Sequence, residues 1–173
     1  MRRVWTGVAL AAAAVATMAT LTGCTQHSGD SAVRQSVDPN LLAGCGPIED
    51  QKIAQIVGLT GLQQQSRPTI CNWTGRNSAG APVDVTYAWL QNDTMGREAE
   101  VAGQSGYQIE RVVVKHFSGM YWHASGDPGS CAVTVADTGT VTWWVQNRDR
   151  SAQPDPCAAA MTLAEATLAV DGV

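Results

Sequence analysis

Basic residues are scarce in this sequence of 173 residues, which has 11 lysines and arginines against 15 aspartates and glutamates. Arg2 and Arg3 are the only charged residues among the first 23, so the remainder has nine basic and 15 acidic residues, a formal charge of −6. Nucleic-acid binding relies on Lys and Arg to neutralise phosphates, and adhesion to anionic lipid relies on clusters of them. The composition therefore excludes nucleic acid as an expected partner, and it excludes a membrane contact held by charge.

Motifs of common catalytic sites are also missing. The chain has no G-x-S-x-G nucleophile motif, no H-E-x-x-H zinc motif, no phosphate-binding loop and no dinucleotide fingerprint. Beyond residue 40 the only histidines are His116 and His123, on different predicted segments. A hydrolase would need a site assembled from distant residues, such as His123 with Asp127 and a serine. The sequence predicts no enzyme, no cofactor and no metal site.

The longest uncharged apolar run lies at the N-terminus. Residues 4–21 are apolar or small and follow the positive Arg2 and Arg3, which is the order of a secretory signal peptide. The alternative interpretation is a transmembrane helix. The run is short for a membrane-spanning segment and is rich in Ala, Thr and Gly, which are only weakly hydrophobic. Leu21-Thr22-Gly23-Cys24 then resembles the bacterial lipobox, where a diacylglyceryl group is attached to the cysteine and the peptide is cut before it. Residues 1–23 are predicted to be a lipoprotein signal peptide, and Cys24 the lipidated residue.

Residues 24–40 form a polar segment that begins with this cysteine. The segment is rich in Ser, Asp and Gln and lacks periodicity, so it is predicted to be a flexible tether. Each buried acyl methylene contributes about 0.8 kcal/mol, and two chains anchor a protein more durably than one. We expect a protein held by lipid at the extracytoplasmic side of the cell membrane, with residues 41–173 forming one disulfide-bonded domain.

Four further cysteines remain, namely Cys45, Cys71, Cys131 and Cys157, an even number. Export to an oxidising compartment makes two disulfide bonds the default expectation. The spacings of 26, 60 and 26 residues include no CxxC pair, which disfavours a metal site or a redox centre. Three connectivities are open to four cysteines, and the sequence does not choose among them. The favoured pairs are Cys45–Cys71 and Cys131–Cys157, each joining a helix start to a nearby strand.

Alternating apolar and polar residues predict short strands, and the clearest is VDVTYAWL at 83–90. Asp137-Thr138-Gly139 predicts a hairpin turn between two of the strands. Helices are predicted after Pro47, at 95–102, and at the C-terminus, where Cys157, Met161, Ala164 and Leu168 form a stripe. The fold class expected is α+β: an antiparallel sheet of five to six strands, with helices packed on one face and a Thr-rich face toward water.

Tryptophan is the residue whose distribution needs an explanation, since five of the six lie beyond the leader against a single Phe. Trp73, Trp89 and Trp143 alternate with the apolar sets, so they are predicted to pack in the core. Trp144 instead shares the Thr-rich face. It either packs under a loop or against a cross-strand neighbour, or it forms a contact surface for a sugar, a lipid or a partner protein.

Several segments together resemble the LprC/LprB-like lipoproteins of mycobacteria, part of a large actinobacterial family whose domain has no assigned function. They are CGPIEDQKIAQIVGL, CNWTG, VDVTYAWLQ followed by GRE, SCAVTVADTGTVTWWVQ, and DPCAAA before a final helix. The resemblance covers nearly the whole chain, and the four domain cysteines match the family's positions. It implies an envelope lipoprotein, lipidated at Cys24 and disulfide-bonded, and it supplies no activity.

The function expected is that of a non-enzymatic binding or accessory protein, tethered to the outer face of the cytoplasmic membrane. Its partner would be another envelope protein or a lipid. The alternative is a small-molecule or lipid carrier with a pocket between the sheet and its helices, which needs an apolar cavity of roughly 300 Å³ or more.

Overall fold

Seven strands form one antiparallel sheet in the computed structural model, which describes residues 42–66 and 70–170. In chain order they are β1 (Thr60–Ser66), β2 (Ile70–Arg76), β3 (Pro82–Leu90), β4 (Tyr107–Val114), β5 (Phe117–Ala124), β6 (Ser130–Ala136) and β7 (Thr140–Asn147). Across the sheet the order is β1-β2-β3-β7-β6-β5-β4. The helices in the described part of the chain are α1 (Asp50–Val57), α2 (Met95–Gln104) and α3 (Pro156–Val170). The predicted α+β class is confirmed, and the predicted count of five to six strands is wrong.

The strand that the sequence did not predict is β1, at one edge of the sheet. Its residues TGLQQQS show no apolar alternation, and the side chains of Gln63, Gln64 and Gln65 are exposed. β1 pairs with β2 alone, and the register shifts between Thr60 and Gln63. Polar side chains and irregular pairing are typical of edge strands, which have only one hydrogen-bonded neighbour. Backbone pairing rather than a side-chain pattern therefore places β1 in the sheet.

One face of the sheet, called the helix-covered face below, packs against α1 and α3. α3 lies on β6 and β7, and α1 packs against α3 and β1. Alternate residues of the central strands fill the space beneath the helices, together with side chains of α3 such as Leu163. Trp73, Tyr87 and Trp143 are fully buried there, and Trp89 is 7% exposed. The prediction that Trp73, Trp89 and Trp143 pack in the core is confirmed.

Two of the buried indoles on the sheet also donate hydrogen bonds to side chains of the helices. Trp143 Nε1–H donates to Thr167 Oγ1 of α3 at 2.8 Å, and Trp73 Nε1–H donates to Asp50 Oδ1 of α1 at 2.7 Å. A buried indole N–H without a partner would cost about 1–3 kcal/mol, so each bond selects one orientation of its helix on the sheet.

α2 packs against the opposite face, so the prediction that the helices share one face is wrong. It contacts β4, β5 and β6. Met95 of α2 lines a cleft together with Arg111 and Met120, and Met120 alternates along β5 with Tyr121, which packs against the helix-covered core. The connection from β3 in the middle of the sheet to β4 at its edge must pass β7, β6 and β5. α2 makes that crossing on the face that α3 leaves open.

The predicted turn at Asp137-Thr138-Gly139 joins β6 to β7, where Asp137 N–H donates to the Gly139 carbonyl at 3.1 Å. Gly139 has a φ of 107°, and a Cβ at that position would collide with the carbonyl of Leu90. Both the backbone conformation and the close approach of the neighbouring chain therefore require glycine here.

Candidate functional site

Of the residues that the sequence singled out, Cys24 lies outside the described residues. The other four cysteines form the bonds Cys45–Cys71 and Cys131–Cys157, which are the pairs favoured from the sequence. Cys71 of β2 and Cys131 of β6 are fully buried. Their partners lie just before α1 and in the first turn of α3. The two bonds thus attach the first and last described helices to the sheet.

The residues considered for a hydrolase are not brought together. His123 lies two residues after Tyr121 on β5, and Tyr121 packs against the helix-covered core, so the His123 side chain lies on that same side of the sheet. Ser130, three residues after Asp127, accepts a hydrogen bond from Trp144 on the opposite face, and in the described part of the chain no hydrogen bond or ion pair joins His123 to Asp127 or to a serine. Among residues 42–66 and 70–170, no group of three His, Cys, Asp or Glu side chains is placed to hold a metal ion. The structure gives no support to a nucleophile and base acting together at this place.

Trp144 belongs to a cluster of three half-buried aromatic side chains on the opposite face, called the aromatic cluster below. Its ring lies 4.9 Å from that of Trp122 and 5.3 Å from that of Tyr107, both in edge-to-face geometry. Tyr107 and Trp122 are 5.3 Å apart. The Trp144 indole N–H donates to Ser130 Oγ at 2.7 Å, which fixes the orientation of the ring. Edge-to-face pairs of this kind contribute about 0.5–1.5 kcal/mol beyond the area they bury.

A small residue makes this cluster possible. Trp144 of β7 pairs with Ala132 of β6, and Ala132 pairs in turn with Trp122 of β5. The two indoles are therefore two strands apart and meet above the methyl group of Ala132. The alternation of β7 predicts the face on which Trp144 lies, but it does not single out Trp122 or Tyr107, because the register that brings the three together is a property of the whole sheet.

A cleft of about 350 Å³, called the polar cleft below, opens beside the cluster. Its walls come from β3, β4, β6 and β7 and from the β5–β6 connection: Asp84, Thr86, Tyr107, Asp127, Ser130, Trp144 and Gln146. Most of these side chains are held by neighbours. Thr86 donates to Asn72 Oδ1 at 2.8 Å, and Asp84 accepts from Thr74 at 2.9 Å.

Each carboxylate of the polar cleft has an arginine partner. Arg148 donates two hydrogen bonds to Asp84, one of them from Nη2 at 2.7 Å, and this pairing holds the pKa of Arg148 above its usual range. Arg150 Nε lies 3.6 Å from Asp127 Oδ1. The two negative side chains in the wall of the cleft are thus each balanced by a neighbouring arginine.

The two faces of the sheet differ in whether a pocket lies between the sheet and its helices. Beneath α1 and α3 the interior is filled by fully buried side chains such as Trp73, Trp143 and Leu168. Beneath α2, a cleft of about 340 Å³ remains between the helix and strands β4 and β5, with Met95, Ile109 and Met120 among its lining residues.

Another cleft of about 510 Å³ lies at the end of β3, with Trp89 and Leu90 in its wall and Asp93 at its rim. Burial raises the pKa of Glu98 to about 7, and a hydrogen bond with Asp93 adds to the rise. The same bond holds the pKa of Asp93 below its usual range, although the Asp93 side chain is only 9% exposed. The raised pKa of Glu98 and the lowered pKa of Asp93 mean that the proton of this pair resides on Glu98.

Taken together, the sheet, the two disulfide bonds and the polar cleft define a small disulfide-bonded α+β domain with an aromatic-lined cleft on its surface. The chain belongs to the family described as "Protein of unknown function (DUF3558)", whose model matches residues 19–169. It is 24% identical over 131 residues to "Putative lipoprotein LprB" of Mycobacterium leprae. The aligned region covers 72% of this chain and 68% of that protein. The family resemblance read from the sequence is confirmed.

No solved structure matches this one at a significant level. In the described ranges 42–66 and 70–170, no helix is long and apolar enough to cross a membrane.

Proposed function

We propose that the protein is an envelope lipoprotein, anchored by lipid on Cys24 to the outer face of the cytoplasmic membrane, and that its domain is a non-enzymatic binding module. The relative from Mycobacterium leprae carries the name of a lipoprotein. The family model begins to match at residue 19, ahead of the lipobox that ends at Cys24. This supports the view that the lipobox belongs to the family's common sequence rather than to an unrelated leader.

The observation that carries the binding role is the aromatic cluster beside the polar cleft. Three aromatic rings stay half-exposed on a sheet face although the same domain buries Trp73 and Trp143 completely. Tyr and Trp are enriched at binding surfaces, because one end of the side chain is apolar and the other forms hydrogen bonds. Among the described residues, no hydrogen bond or ion pair joins His123 to Asp127 or to a serine, which favours recognition over hydrolysis as the use of this surface.

Site-specific photo-crosslinking on the full chain in membranes tests the binding role. A photoreactive residue at Gln146, exposed at the polar cleft, is expected to give a discrete adduct in living cells. Gln64, exposed on edge strand β1 and paired with Trp73, so that it lies on the other side of the sheet from the cleft, is the matched control position. Equal labelling at both positions, or none at Gln146, contradicts the proposal.

A carrier function is the second candidate, and the cleft beneath α2 favours it. Its size of about 340 Å³ lies at the lower end of the range for small-molecule sites, and its walls include Met95, Ile109 and Met120. A carrier would release an apolar ligand into organic solvent on extraction from the purified full chain, and replacing Ala99 in the cleft wall by Trp would lower the amount recovered.

A further inference from the structure

We infer that the polar cleft binds a neutral pyranose sugar against Tyr107 and Trp144. The inference rests on the proposed binding function and names the ligand class for the same site. The charge balance of the cleft, its aromatic wall and the hydrogen-bonding groups that line it all fit such a ligand.

Charge excludes most other small ligands. Asp84 and Asp127 disfavour a phosphate or carboxylate ligand, and the chain as a whole is acidic, with a net charge of −4. Their partners Arg148 and Arg150 equally disfavour a cation, which an aromatic surface with unpaired carboxylates would otherwise attract. A site with both signs balanced at its rim suits an uncharged ligand.

The aromatic wall suits a sugar ring. Trp144 and Tyr107 line the cleft, and aromatic faces carry a negative quadrupole that attracts positively polarised C–H groups. One face of a pyranose presents several such C–H groups, while its hydroxyl groups point outward around the ring. Both aromatic rings are held in place, since Tyr107 and Trp144 contact each other and Trp122 edge-to-face. An aliphatic lipid chain would gain from the rings but would desolvate the polar groups beside them.

The polar groups supply both donors and acceptors, as hydroxyl groups require. Ser130 Oγ accepts from the Trp144 indole, so its own hydrogen is left to donate. Among the described residues, neither the Gln146 amide nor the Tyr107 hydroxyl has a hydrogen-bond partner. Asp84 accepts from Arg148 and Thr74, which fix its carboxylate before a ligand arrives. Groups held in place beforehand lose little entropy on binding.

The size of the cleft limits the ligand. Its volume of about 350 Å³ is near the lower end of the range for small-molecule sites, enough for roughly one or two pyranose rings. A short oligosaccharide is therefore the appropriate probe.

The test uses the full chain in detergent, labelled with ¹⁵N, and follows the indole N–H signals of its tryptophans in NMR spectra. The probes are the neutral disaccharides cellobiose and N,N′-diacetylchitobiose at about 10 mM, well above a weak millimolar Kd. We expect one of them to move the Trp144 and Trp122 signals and to leave those of Trp73 and Trp143, which lie in the core, unchanged.

Variants confine the effect to the cleft. Gln146→Ala should weaken binding by about fivefold, the effect of one lost hydrogen bond, and Gln64→Ala on the other side of the sheet should leave it unchanged. Trp144→Leu should abolish binding, and unaltered Trp73 and Trp143 signals show that this variant is folded.

Three results overturn the inference: no movement with either sugar, movement confined to signals away from the aromatic cluster, or a larger movement with choline or inorganic phosphate at the same concentration. None of these contradicts the proposed binding function, which fails separately if crosslinking at Gln146 gives no adduct. A protein adduct at Gln146 without any response to sugar would assign the surface to a protein partner and end the sugar inference.

Discussion

Replacing both cysteines of one disulfide bond with alanine is expected to lower the free energy of unfolding by about 3.5 kcal/mol and to leave the domain folded. Each bond closes a loop with a sequence separation of 26 residues. Cross-linking a loop of that length removes roughly 12 cal/mol/K from the entropy of the unfolded chain, which is about 3.5 kcal/mol at 25 °C. Domains of this size are stable by about 5–15 kcal/mol, so one bond is dispensable and the loss of both approaches the total.

The two bonds offer a matched comparison, because their loops are of equal length. Cys45→Ala/Cys71→Ala and Cys131→Ala/Cys157→Ala should therefore lose the same free energy of unfolding. Neither helix depends on its disulfide bond alone, since α1 and α3 each keep buried apolar side chains on the core. Urea unfolding followed by tryptophan fluorescence measures the loss. With a slope of about 2 kcal/mol per molar urea, the midpoint should fall by about 1.8 M in both variants.

Either of two results would refute this reasoning. A loss below about 1 kcal/mol in either variant would mean that the unfolded chain is already restricted without the bond. A difference of more than about 1.5 kcal/mol between the variants would mean that native contacts, rather than loop length, decide the contribution.

Three further changes test individual contacts. Raising the pH from about 4.5 to about 7 should lower the free energy of unfolding by about 1–2 kcal/mol. The pKa of Glu98 is about 7 in the folded state, so the folded state holds the Glu98 proton more tightly than the unfolded chain does, and this stabilisation is lost as the pH rises. Because the Glu98 side chain is half-buried, screening by water brings the effect of the shift down to this range. Urea midpoints at the two pH values should show the fall, and Glu98→Gln should abolish it. Gly139→Ala should cost about 2 kcal/mol or more in thermal unfolding, and an unchanged midpoint would contradict the collision with Leu90. Ala132→Leu should cost about 1–3 kcal/mol and change the near-ultraviolet circular dichroism of the separated indoles.

The aromatic cluster shows where prediction from sequence stops. The pleat of a strand fixes the side on which each residue lies, so alternation placed Trp143 in the core and Trp144 on the other face. It could not bring Trp122 or Tyr107 beside Trp144, because that contact depends on the pairing of three strands. The pairing is decided by the whole sheet. The small residue that permits the contact is Ala132, and a single alanine in a strand gives no sequence signal that two indoles meet above it.

Helix α3 shows a second limit. The predicted stripe correctly contained Ala164 and Leu168, whereas Met161 is only half-buried and the buried face also includes Leu163 and Thr167. The helix is built largely of small apolar residues, so several stripes have similar hydrophobicity. Its rotation is fixed by a polar contact, the hydrogen bond from the Trp143 indole to Thr167. Periodicity weighs apolar residues and therefore misses a threonine that orients the helix.

The claim that matters most is the lipid anchor at Cys24, and the mass of the mature N-terminus tests it most directly. Proteolysis and mass spectrometry of the full chain purified from membranes should yield an N-terminal peptide that begins at Cys24 and carries a diacylglyceryl group on the thiol. Thr22→Ala, which keeps a small residue in the lipobox, should give the same peptide, and Cys24→Ala should retain residues 1–23. An unmodified Cys24 in the mature protein, or a mature N-terminus at another residue, would contradict the account.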